Sequence, residues 1–164
     1  MKDLARAFAI ERHGGQLYGD QPYSVHLDAV ARLAAPYGEQ AEVIACLHDV
    51  VEDTDTPLSE IEARFGPFVA ACVGILTDEA GAGRPTRKAR TYTKMAAVSG
   101  PESLALVVKA ADRLANVEAC VAGQQQTLLE KYCREQAAFY QAAYRPGLCD
   151  SLWESLAGHF AQKR

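Results

Sequence analysis

The residues with the most chemical potential lie in Leu47-His48-Asp49-Val50-Val51-Glu52-Asp53-Thr54, which sets one histidine and three carboxylates close together. At about 100° per residue on a helix, His48, Asp49, Glu52 and Asp53 share an arc of about 140°. Val43, Ile44, Leu47, Val50 and Val51 take the other side. Three anions on one face repel one another unless a cation sits among them. A divalent metal ion is the compact solution, and Glu52 and Asp53, one turn on, would then handle protons. An amphipathic helix with a solvated acidic face is the alternative this stretch leaves open.

Two further polar residues fall where a core is expected. His26 lies inside the arc of Val25, Ala29, Val30 and Leu33, and reads either as a satisfied core histidine or as a ligand. Asp112 shares a helix face with Val108, Ala115 and Ala119. An ionised carboxylate there costs several kcal/mol unless a cation or strong donors meet it. Lys109 and Arg113 are candidate partners within the same helix. One arrangement accounts for every oddity: His26, His48, Asp49 and Asp112, carried by three helices, converge on one metal ion. Two imidazoles and two carboxylates without a thiolate suit Mn, Fe or Zn.

The elements that must position these groups are helical nearly throughout. Leu4, Ala7, Phe8 and Glu11 mark a first amphipathic helix, and a polar loop from Tyr18 to Tyr23 leads to a second with Val25, Ala29, Val30 and Leu33. Pro36-Tyr37-Gly38 breaks it, and a third helix over about 39–53 carries the acidic stretch. Thr56-Pro57 starts a short helix, and Gly66-Pro67 separates it from one with Val69, Cys72, Val73 and Leu76 at helical spacing. Gly81 to Pro85 is a loop whose exit is crowded by Arg84, Arg87, Lys88 and Arg90. The most apolar helix covers about 101–121, a long one runs from Leu129 to Ala143, and Asp150 opens the last around Trp153. No period-2 strands, repeats or linker occur. The reading is an all-α, compact multi-helix bundle forming one domain over residues 1–164.

The totals narrow the function. A net charge of −4 disfavours a general nucleic-acid binder. The five cysteines are odd in number and lack any CxxC spacing, so they read as reduced thiols of a cytoplasmic protein. No apolar run approaches the roughly 18 residues a bilayer span needs.

Beyond spacing, several blocks occur in order: His13-Gly-Gly-Gln16, Pro22-Tyr23, His26 with Val30-Ala31, His48-Asp49-Val-Val-Glu52-Asp53-Thr54, Phe65-Gly66, Leu76-Thr77, and Lys109-Ala-Ala-Asp112-Arg-Leu-Ala-Asn116. Over about residues 3–145 the chain resembles the hydrolase domain of the RelA/SpoT homologue family of HD-domain phosphohydrolases. Its length is similar to that of the small alarmone hydrolases, the metazoan SpoT homologue among them. The resemblance implies removal of the 3′-pyrophosphate from guanosine tetra- and pentaphosphate, (p)ppGpp, giving GDP or GTP and pyrophosphate. It implies one Mn²⁺ on His26, His48, Asp49 and Asp112, with Fe or Zn as alternatives. It further implies that Glu52 and Asp53 activate the attacking water and assist the leaving 3′-oxygen. Arg84, Arg87 and Lys88 would face substrate phosphates, and Asn116 would lie near the nucleoside. Tyr18 stands where the family carries a base-stacking arginine, and Ala119 where bacterial members commonly have threonine. Both departures bear on base recognition and not on the metal. Two competing readings keep the same residues: a phosphohydrolase acting on another nucleotide such as NADPH, and a catalytically weak nucleotide-binding sensor.

Overall fold

The computed structural model describes residues 1–161. Its centre is the helix α8, Leu104–Ala122 (α-helices are numbered in chain order), in which every residue from Ala105 to Ala115 is buried. A helix apolar on all sides has to be surrounded. Four helices before it supply much of that cover: α1 (Lys2–His13), α2 (Ser24–Ala34), α3 (Glu39–Leu47) and α6 (Pro67–Leu76). Of these, α2, α3 and α6 lie directly on α8, and α1 packs on α3. From the other side α9 (Gln126–Ala143) and α10 (Asp150–Ala161) close on it. Leu27, Ile44, Leu47, Leu76, Leu106 and Leu114 meet in the shared core, each burial stabilising the fold by about 1.5–3 kcal/mol.

Three connecting helices complete the chain: α4 (Val50–Asp53), α5 (Leu58–Phe65) and α7 (Gly83–Ala96). Gly66, at φ +91°, closes α5 while its N–H bonds the Glu62 carbonyl, and Pro67 begins α6 immediately. Only glycine takes that backbone turn without strain. The pair α7–α9 is tied to α8 by Arg113, which is buried. Its Nη2 donates to Glu135 Oε2 at 3.1 Å and to the Tyr92 hydroxyl at 3.2 Å. Its guanidinium lies over the rings of Tyr132 and Phe139.

The all-α expectation holds, with local corrections. The third helix is interrupted: α3 stops at Leu47, and Asp49 adopts φ −104°, ψ −4° before α4 begins. Adjacent positions of an unbroken helix diverge by about 100°; the break lets His48 and Asp49 turn toward one point. The buried face of α2 is His26, Leu27, Val30, Ala31 and Ala34, not the arc through Val25, which is exposed. On α1, likewise, Ala5, Phe8 and Ala9 are buried while Leu4 points out. The Tyr18–Tyr23 loop contains a minimal hairpin, β1 (Leu17–Tyr18) against β2 (Gln21–Pro22), turned by Gly19 at φ +64°. Two-residue strands are too short to leave a period-2 signal. The basic stretch after Gly83 is itself a helix, α7, which buries only Thr91 and Met95 and packs Tyr92 against the core.

Candidate metal centre

His26 comes from α2, His48 and Asp49 from the break after α3, and Asp112 from the middle of α8. Their side chains meet. His26 Nε2 lies 3.3 Å from His48 Nε2, 3.7 Å from Asp49 Oδ2 and 3.4 Å from Asp112 Oδ1. His48 Nε2 lies 3.0 Å from Asp49 Oδ2 and 3.7 Å from Asp112 Oδ1. Metal–ligand bonds of about 2.1 Å place neighbouring ligand atoms about 3.0 Å apart in an octahedron and about 3.4 Å apart in a tetrahedron. The separations fall around both values, and Asp112 Oδ1 lies 3.4 and 3.7 Å from the two imidazoles. His26, His48 and Asp49 alone already form a group able to hold a metal ion.

Supporting hydrogen bonds fix three of the four donors, whereas His26 Nδ1 has no hydrogen-bond partner among the described residues. His48 Nδ1 donates to the Ala45 carbonyl at 2.7 Å, which leaves Nε2 for the centre. The Tyr23 hydroxyl donates to Asp49 Oδ2. Asn116 Nδ2 donates to Asp112 Oδ1 at 2.6 Å, and Lys109 Nζ lies 3.2 Å from Asp112 Oδ2. Lys109 thus partners one carboxylate oxygen while the other faces the imidazoles, so ion pairing and ligation by Asp112 are compatible. The charges are strongly coupled. Burial alone would lower the His48 pKa, but Asp49 and Asp112 outweigh it and hold it well above its ordinary value of 6.5. Burial would raise both carboxyls; Lys109 and His48 on Asp112, and His48 on Asp49, hold them below the usual range.

Two imidazole nitrogens facing each other need a proton or a cation between them. In the metal-free chain the proton on His48 meets that need, and its stabilising effect is complete below pH 6.5 and is lost as pH rises through the raised pKa. A metal ion requires the bare lone pair, so binding at neutral pH releases a proton. Calorimetry with Zn²⁺ in buffers of different ionisation enthalpy is expected to show about one proton leaving per ion. No proton release would contradict this charge assignment.

Around the centre, Glu52 and Asp53 are exposed at α4. The Asp78 backbone N–H donates to Glu52 Oε2 at 3.0 Å, and Gln16 Nε2 donates to Asp53 Oδ2 at 2.8 Å. Loss of surrounding water raises the Glu52 pKa, against the Asp78 N–H and Lys109, which lower it. Thr54 ends α4 by donating to the Val50 carbonyl. Tyr18 stacks on His26, centroids 4.8 Å apart and planes 18° apart, and its hydroxyl donates to Asn116 Oδ1 at 2.9 Å. Tyr18 and Asn116 therefore border the centre together. The basic residues of α7 are distributed differently. Lys88 pairs with Asp78 at 2.8 Å, and Arg84 grips Glu135 through Nε and Nη2. Arg87 is exposed. Arg84 and Lys88 line a cavity of about 450 Å³ with Tyr92, Lys131 and Arg134.

Sequence reasoning noted Tyr23 and Gln16 only as motif letters and did not anticipate Asp78. Tyr23 precedes His26 by one helical turn, a spacing from which its reach toward the same centre is legible. The Asp78 contact has no such signal, since it is made by a backbone amide.

Comparison with known proteins agrees with this architecture. The HD-domain profile matches residues 5–147. The chain is 37% identical over 122 residues to the guanosine-3′,5′-bis(diphosphate) 3′-pyrophosphohydrolase of Aquifex aeolicus, spanning 71% of this chain and 18% of that protein. It is 38% identical over 117 residues to guanosine-3′,5′-bis(diphosphate) 3′-pyrophosphohydrolase MESH1 of Danio rerio, spanning 67% of this chain and 63% of the relative. In both, the matched part is under two thirds of the relative's length. A solved structure described as a metazoan ortholog of SpoT that hydrolyses ppGpp superposes with a TM-score of 0.84 at 25% identity, covering 99% of this chain and 94% of the other. With the two histidines and two aspartates gathered from α2, the α3–α4 break and α8, and the profile matched over most of its length, the chain belongs to the HD-domain family.

Proposed function

We propose that the chain is a one-domain, metal-dependent hydrolase that removes the 3′-pyrophosphate from (p)ppGpp to leave GDP or GTP. The observation that carries the reading is the convergence of four donor atoms, from His26, His48, Asp49 and Asp112, beside two carboxylates on α4. The four would hold one divalent ion, most simply Mn²⁺. When bound, such an ion supplies Lewis acidity to the scissile phosphoryl group and to the attacking water. The protein's own groups do the rest. Glu52, with its raised pKa and its anchor on the Asp78 amide, accepts a proton from the water. Asp53, oriented by Gln16, passes that proton on to the leaving 3′-oxygen. Tyr18 and Asn116 meet the nucleoside, the aromatic face substituting for a guanidinium plane. The cations of α7 and α9 suit a polyphosphate: Arg84 and Lys88 line their cavity with partners in place, and Arg87 is open to solvent. The site acts on a small nucleotide, and neither nucleic acid nor membrane enters the proposal.

The test is turnover of ppGpp by the purified chain with added Mn²⁺, followed as pyrophosphate and GDP. A nucleotide panel including NADPH runs beside it, because Tyr18 replaces a charge at the base. Pyrophosphate from ppGpp supports the reading; NADPH dephosphorylation without ppGpp turnover, or tight ppGpp binding with no turnover in any divalent metal, replaces it. A second prediction concerns the groups behind the ligands. Tyr23→Phe deletes the donor to Asp49 without changing the ring, and the affinity for Mn²⁺ is expected to fall about 10-fold. Titration calorimetry reads this directly, and unchanged affinity would remove Tyr23 from the mechanism.

A further inference from the structure

The far end of the carboxylate network lies on His13, a residue with no part in the catalytic steps proposed for the site. An ionised Asp53 offers only acceptors, so Gln16 has to present its amide nitrogen to it, as it does at 2.8 Å. Gln16 Oε1 then faces His13 Nδ1, also at 2.8 Å, and that ring nitrogen must carry the hydrogen. His13 is only 7% exposed, and its Nε2 has no hydrogen-bond partner among the described residues. A buried polar atom left unpaired is costly. The ring also lies against Tyr23, centroids 4.4 Å apart, and the Tyr23 hydroxyl donates to Asp49. The backbone ties the same three residues together: Gln16 N–H to the His13 carbonyl at 3.0 Å, and Tyr23 N–H to the Gln16 carbonyl at 3.1 Å. One buried imidazole thus stands behind two carboxylates of different roles.

We infer that His13 is a positioning residue: its Nδ1–H sets the amide orientation of Gln16, which in turn orients Asp53, while its ring braces the Tyr23 that holds Asp49. The catalytic consequence rests on the hydrolase reading; the hydrogen-bond assignment does not. The assignment is tested by ¹⁵N NMR of the full chain. His13 is expected as the Nδ1–H tautomer, with a slowly exchanging proton that becomes fast-exchanging in Gln16→Ala. An Nε2–H tautomer, or exchange indifferent to Gln16, overturns it.

The consequence is tested with ppGpp and Mn²⁺. His13→Phe keeps the ring and loses the donor; kcat is expected to fall about 10-fold with KM within about twofold. His13→Asn, whose amide nitrogen can stand where Nδ1 stood, is expected to recover kcat to within about threefold of the parent. Equal losses in the two variants, or a loss confined to KM, overturn the role. If His13→Phe does not fold, Gln16→Leu carries the kinetic arm with the same expected loss. If the parent chain turns over no ppGpp, the hydrolase reading fails, while the tautomer result still decides the assignment.

Discussion

In Asp112→Asn, hydrolysis is expected to drop at least about 1000-fold, the equivalent of about 4 kcal/mol of lost transition-state stabilisation. The substitution keeps the shape of the side chain. An amide oxygen can still accept from Asn116, so α8 should retain its packing. What disappears is the negative charge that faces His26 and His48 at 3.4 and 3.7 Å and partners Lys109 at 3.2 Å. A neutral amide is a poor ligand for a hard divalent ion. The expected result is therefore a folded protein with much weakened Mn²⁺ binding and almost no turnover. Parent-like turnover would show that Asp112 is no ligand. Asp112→Ala is a less clean variant, because it removes the side-chain shape and the acceptor for Asn116 in addition to the charge that Lys109 loses in both.

Lys109→Met produces the largest expected change in stability. Lys109 is 6% exposed, and although burial pushes its pKa down, Asp112, Asp49, Glu52 and Asp78 outweigh that and raise it. Methionine matches the length of the stem but leaves Asp112 without the ammonium 3.2 Å from its Oδ2, and removes a positive charge that Asp49, Glu52 and Asp78 also feel. Removing one partner from a buried ion pair costs about 3–5 kcal/mol. For a chain of this size that lowers Tm by about 10 °C in the metal-free state. With saturating Mn²⁺ the fall should be smaller, since the ion supplies positive charge at the same place. Circular-dichroism melts with and without metal read both numbers. Equal falls in the two conditions would mean that Lys109 and the ion do not share the same charges.

The fold class and the four converging side chains were legible because polarity in the wrong place is informative. His26 and Asp112 sit in apolar runs, and HD-x-x-ED concentrates charge that has to be answered. The finer placement was not legible, for identifiable reasons. Val25 and Leu4 are apolar yet exposed, because a helix face is decided by what packs on it and not by a single hydrophobic residue. The break between α3 and α4 leaves no glycine or proline as a marker. The partner of Arg84 lies far along the chain on α9, beyond any local periodicity. Asp112 offers the opposite lesson: Lys109 stands 3.2 Å from one oxygen while the other faces His26, so the ion pair leaves the proposed ligand position open.

In the proposed metal site, the order of the ligands along the chain also bears on synthesis. His26, His48 and Asp49 emerge from the ribosome well before Asp112, and α8 is the element on which α2 and α3 settle. A nascent polypeptide ending ahead of α8 lacks both the fourth donor and the surface that aligns the other three. Ion capture is therefore coupled to a late, long-range docking event, and metal retained by a newly made molecule reports that its central helix has been seated.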